Sequence, residues 1–141
     1  MNKNYNEVSI LLVEDDDIDA KSVQRGIQKL KLANPLFRAK NGLEALALLR
    51  GEDAIKRPYI ILLDLNMPIM GGLEFLHEIR ADEALKDSII FVLTTSNADE
   101  DRVSAYREHV AGYIVKSDVK DGFHKVLNML DHYWRVVLLP S

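Results

Sequence analysis

The sequence predicts an α/β fold, a single domain built on a doubly wound parallel sheet of five strands. Two observations carry that prediction. Short apolar runs recur along the chain, several of them apolar at every position rather than at every second one, as in strands covered on both faces. Longer segments with apolar residues at helical spacing lie between them. Strands and helices in alternation give a parallel sheet with helices on its faces, joined by right-handed crossovers.

The predicted strands are 8–13, 36–39, 59–63, 89–93 and 112–115. The first helix is marked by Ala20, Val23, Ile27 and Leu30, with Gly26 weakening it slightly. Ala45, Leu46 and Leu49 mark the second, and Phe75, Leu76 and Ile79 the third. Asn97 resembles an N-cap with Glu100 at the third helical position, which starts a fourth helix running to about Glu108. Its apolar face is thin, with Val103 and Tyr106 and little else, so it is expected to shift cheaply. The fifth helix has the strongest stripe: Val119, Phe123, Val126, Leu127, Leu130, Tyr133, Trp134, Val137 and Leu138. Met129, Val136 and Leu139 form a second, narrower apolar line. No repeat or linker divides the chain, so residues 1–141 are read as one domain with a core at about 8–130 and a helical extension over 131–141.

Composition narrows the function classes. A chain of 141 residues suits one domain, and its formal charge of -4 disfavours the phosphate contacts on which nucleic-acid binding depends. The absence of Cys excludes disulfides and thiolate metal sites. The polar start MNKNYNE is unlike a signal peptide, and no apolar run approaches the roughly 20 residues that span a bilayer. A cytoplasmic protein with no membrane contact is expected.

Two apolar runs end abruptly in acid: Val13 leads into Glu14 and Asp15, and Leu63 into Asp64. In doubly wound sheets, ligands bind beyond the carboxyl ends of the strands. If the first and third strands are neighbours, the three carboxylates meet at one rim. Two such charges about 4 Å apart repel by roughly 4 kcal/mol at an effective dielectric of 20, so a cation or a proton must join them. Mg²⁺ fits an oxygen-only set, whereas single scattered His residues and no Cys disfavour zinc. Asp64, alone at its strand end, suits nucleophilic attack on phosphorus, and the Glu14–Asp15 pair suits metal binding. Thr94 and Lys116, at the next two strand ends, supply a hydroxyl and an ammonium for the charge that gathers. Each group taken singly is equally well a turn former or a surface charge. Four suitable groups at four strand ends favour the joint reading.

With the acidic pair, Asp64-Leu65-Asn66-Met67-Pro68-Ile69-Met70-Gly71, Thr94 and Tyr113-Ile114-Val115-Lys116, the chain resembles the receiver domain of two-component response regulators over about Val8 to Leu130. The resemblance implies a flavodoxin-like sheet in the order 2-1-3-4-5. It implies that Asp64 accepts a phosphoryl group from a sensor histidine kinase. Mg²⁺ would be held by Glu14, Asp15, Asp64 and the backbone carbonyl of Asn66. Thr94 and Lys116 would bind the phosphoryl oxygens, Tyr113 would follow Thr94 as the aromatic switch, and the face around the fourth helix, fifth strand and fifth helix would change for a partner. One departure is Ser117, where most receivers have Pro after the lysine. The tail from Tyr133 to Pro140, with Lys116-Ser117, resembles stand-alone regulators of phytochrome-type kinases.

The second apolar line on the fifth helix makes a homodimer plausible, with Met129, Trp134, Val136 and Leu139 as candidate contacts; the alternative is a tail folded back on its own domain. A rival function is a Mg²⁺-dependent phosphohydrolase with an aspartyl nucleophile. That class wants a second acid two residues on, where this chain has Asn66, and so no independent enzymatic turnover is expected.

Overall fold

The computed structural model describes residues 8–65, 67, 69–94, 99–116, 124–137 and 139–140, with the backbone alone at 99–101, 103 and 124. The elements among them are β1 (Ser9–Val13), α1 (Asp17–Lys29), β2 (Leu36–Ala39), α2 (Gly42–Leu49), β3 (Tyr59–Asp64), α3 (Gly72–Ala81), β4 (Ile89–Thr94), α4 (Asp99–Arg107), β5 (Gly112–Val115) and α5 (His124–Val136). The strands pair in parallel in the order β2-β1-β3-β4-β5, which is the doubly wound, flavodoxin-like arrangement.

Period-2 alternation divides the sheet between two cores. Leu11, Val13, Ile61, Leu63, Ile90 and Val92 pack against α2, α3 and α4. Ile10, Leu12, Ile60, Leu62, Phe91 and Leu93 pack against α1 and α5. Burial on both faces is why these strands are apolar at every position. Each fully buried Leu or Ile contributes roughly 1.5–3 kcal/mol of transfer free energy.

Local chemistry starts the helices where they are needed. The Asp16 side chain caps α1, accepting from the Ile18 and Asp19 amides at 2.8 and 3.2 Å. Asn41 caps α2 through the Glu44 amide at 2.9 Å, and its own amide donates back to the Glu44 carboxylate at 3.2 Å. At α3 a capping side chain is replaced by close approach, with the Gly72 amide donating to the Leu65 carbonyl at 3.1 Å.

Several details differ from the sequence expectation. β3 runs one residue further, so Asp64 is the last residue of its strand rather than the first beyond it, and Thr94 closes β4. Among the described α4 side chains, Ala105 is buried and Tyr106 is 48% exposed, and the side chain of Val103 lies outside the described residues. The predicted cap at Asn97 and the α5 positions Val119, Phe123 and Leu138 lie outside the described residues. Val137 was expected in the buried stripe, but α5 ends at Val136 and Val137 is exposed.

The dimer candidates separate sharply. Trp134 continues the stripe of Leu127 and Leu130 and is 2% exposed, so it belongs to the core and not to a docking surface. Met129 and Leu139 are half-buried against the same cluster, as a folded-back tail requires. Val136 is 80% exposed. No helix among the described residues is long and apolar enough to cross a membrane.

Candidate functional site

Strand register sets the site. Val13 is level with Leu63, Asp64 with Leu93, and Thr94 with Val115. Glu14, Asp64, Thr94 and Lys116 therefore leave the sheet within two rungs of one another, at its carboxyl edge. The expected condition is met, because β1 and β3 are neighbours.

Glu14 is buried, and its amide donates to the Ala39 carbonyl at 2.9 Å. Its own carbonyl accepts two bonds from the Arg38 guanidinium, at 3.1 and 3.0 Å, while that guanidinium also pairs with Asp17 at 2.8 Å. Arg38 on β2 thus braces the turn between β1 and α1. Asp64 is 5% exposed, and Asp15 stands on the solvent side of the rim. Glu14, Asp15 and Asp64 each offer one carboxylate oxygen, all within 4.8 Å of one another.

Lys116 reaches into this cluster. Its Nζ donates to Glu14 Oε1 and to Asp19 Oδ2, the latter at 2.7 Å, and lies 3.6 Å from Asp64 Oδ2. Thr94 is fully buried at the neighbouring strand end. Tyr113 is half-buried and packs against the core on the α2, α3 and α4 side. The carbonyl of Asn66 and the peptide to Ser117 lie outside the described residues.

Burial dominates the electrostatics of the cluster. Burial, then the hydrogen bond with Asp64, pushes the Glu14 carboxyl up to about 8, and Lys116 offsets only part of that. Burial alone would lower the Lys116 ammonium; the carboxylates of Asp19, Glu14 and Asp64 together outweigh it and raise the group above its usual range. Three carboxylates within reach of one another, with only oxygen ligands and with Glu14 raised chiefly by burial, fit a hard divalent cation such as Mg²⁺ or Mn²⁺.

The sequence reading missed Arg38 and Asp19. For Asp19 a signal existed, since five acids between positions 14 and 19 exceed what one metal pair and one cap require.

The response regulator receiver domain model matches residues 10–128. The chain belongs to the response regulator receiver family. Response regulator Rcp1 of Synechocystis sp. is 37% identical over 137 residues, covering 94% of this chain and 92% of that protein. Two solved structures are similar. The phosphorylated cyanobacterial phytochrome response regulator RcpA superposes with a TM-score of 0.84 at 33% identity, covering 96% of this chain and 99% of that one. The Mn²⁺-bound form of Rcp1 gives 0.82 at 36% identity, covering 95% and 99%. Receivers are the phosphoacceptor modules of two-component systems and bind Mg²⁺ or Mn²⁺ in an acidic pocket, and the chain carries the corresponding acidic cluster.

Proposed function

We propose that the protein is a response regulator that takes a phosphoryl group onto Asp64 from the phosphohistidine of a sensor histidine kinase. The observation that carries this is the placement of Asp64, buried at a strand end, 3.6 Å from the Lys116 ammonium and within the Glu14–Asp15 acidic cluster. Glu14, Asp15, Asp64 and the Asn66 carbonyl would hold Mg²⁺, which when bound offsets the negative charge on the phosphoryl oxygens.

An Asp64 carboxylate oxygen forms the new bond to phosphorus, the bond from phosphorus to the kinase imidazole breaks, and the imidazole departs with its electron pair. Lys116 pairs with one phosphoryl oxygen and the Thr94 hydroxyl donates to another. Thr94 moves toward the phosphoryl group, Tyr113 follows inward, and the surface of α4, β5 and α5 changes for a partner. Loss of phosphate from Asp64 is slow, and small phosphate esters are not turned over, since Asn66 stands where a general acid would be needed.

A phytochrome-type kinase is the favoured donor, supported by the names of RcpA and of bacteriophytochrome response regulators among the similar structures. Homodimerisation through α5 is one mode of output, for which Val136 is the exposed apolar candidate, and a tail packed on its own domain is the other. Phosphotransfer from a radiolabelled phytochrome-type kinase tests the proposal. Transfer to the protein that disappears in Asp64→Asn supports it, and label persisting in Asp64→Asn refutes it.

A further inference from the structure

The proposed chemistry leaves Asp19 without a task, although it makes one of the two carboxylate bonds to the essential ammonium. Asp19 stands in the first turn of α1, and its Oδ2 accepts from Lys116 Nζ at 2.7 Å across 97 residues of sequence. Its backbone is held in place, because its amide donates to the capping Asp16 carboxylate at 3.2 Å. Its side chain is 30% exposed against 10% for Lys116, so it covers the solvent side of the ammonium.

An ammonium has three N–H groups and no acceptor. Glu14 Oε1 takes one and Asp19 Oδ2 a second, which leaves the third nearest to Asp64 Oδ2 at 3.6 Å. A lysine stem is flexible and rich in rotamers, so a lysine held by one carboxylate samples several positions. The residue after Lys116 is Ser117, and so no proline ring fixes the backbone that follows.

We propose that Asp19 is a positioning residue for Lys116: with Glu14 it fixes two ammonium N–H groups so that the third faces Asp64 and the phosphoryl group formed there. The inference rests on Asp64 as the phosphoacceptor. It gives a prediction opposite in sign to a simple field effect. Removing a negative charge beside an anion site should tighten anion binding, whereas removing a positioning residue should weaken it.

The test is beryllofluoride affinity at saturating Mg²⁺, by calorimetry, in Asp19→Ala, in Lys116→Met and in the double variant. Asp19→Ala is expected to weaken binding about three- to tenfold, the range of a partly exposed charged hydrogen bond. In the Lys116→Met background the same substitution is expected to change nothing. Unchanged or tighter binding in Asp19→Ala overturns the inference, as does an equal loss in the Lys116→Met background. Nitrogen NMR of the Lys116 ammonium in the free protein gives a second readout, independent of phosphoryl chemistry and of whether Lys116→Met folds. A slow-exchanging signal that broadens in Asp19→Ala supports the inference, and one that does not change overturns it. Wild type that binds no beryllofluoride refutes Asp64 as phosphoacceptor, and the NMR result then judges the Asp19 contact separately.

Discussion

Gly72→Ala is predicted to be costly, although alanine ordinarily favours a helix. A Cβ at Gly72 would lie 2.5 Å from the Leu65 Cα and 2.9 Å from the Asp64 carbonyl oxygen. Ordinary contacts begin near 3.4 Å, so α3 must move by about 1 Å relative to the Asp64–Leu65 backbone. Overpacking of this kind costs about 1–3 kcal/mol, more than offsetting the gain of up to about 1 kcal/mol from helix propensity. Gly42→Ala is the matched control, because Gly42 also opens a helix and the new Cβ would meet Met70 Cγ at 2.7 Å. There the two nearest atoms, Met70 Cγ and Sδ, can move with the side chain while Met70 Cβ at 3.0 Å must give by a few tenths of an ångström, so the net cost is predicted to be smaller than at Gly72. Urea unfolding followed by far-ultraviolet circular dichroism compares the two. Because the displaced backbone carries Asp64, Gly72→Ala should also slow phosphorylation by acetyl phosphate. Equal midpoints for Gly72→Ala and Gly42→Ala would refute the close-approach argument.

Arg80 donates to four backbone carbonyls, those of Glu108, Lys86, Ser88 and His109, at 2.6–3.0 Å, tying α3 to the carboxyl end of α4. Arg80→Ala is predicted to lower stability by about 2 kcal/mol, and an unchanged urea midpoint would contradict this. In the metal-free protein the Glu14 carboxyl lies above its unfolded value, from 4.5 up to about 8. Between those values the folded state binds more protons than the unfolded state, so this group's contribution to stability falls as pH rises. Mg²⁺ displaces that proton, and stabilisation by Mg²⁺ over EDTA is predicted to be greater at about pH 8 than at about pH 6; thermal melts showing the reverse would contradict the assignment. Val136→Glu is predicted to leave the monomer's stability within about 0.5 kcal/mol and to dissociate a dimer seen by sedimentation with beryllofluoride and Mg²⁺. A dimer that survives the substitution must use another surface.

Much of the fold could be read from the residues because both sheet faces are buried. Strands such as Tyr59–Asp64 are apolar up to their last residue, where the chain meets a charged rim. The same contrast exposed Glu14, Asp64, Thr94 and Lys116, since polar groups ending apolar runs are visible locally. Strand neighbours were not visible locally, and their order entered through the family resemblance. Asp19 and Arg38 were missed because their roles depend on partners at a distance in the chain, Lys116 for one and the Glu14 carbonyl for the other. Trp134 was misread as a surface contact because an apolar stripe does not say how wide a face the neighbouring sheet covers. Ala105 was overlooked for the opposite reason: a methyl group carries little hydrophobic signal, yet it is fully buried.

Whether Asp64 captures phosphorus with the help of a divalent cation is decided by mass spectrometry of the protein after reaction with acetyl phosphate. One Mg²⁺-dependent phosphoryl adduct is expected, mapped to the peptide carrying Asp64 and lost in Asp64→Asn. An adduct that forms equally in EDTA, or maps to another residue, would contradict it.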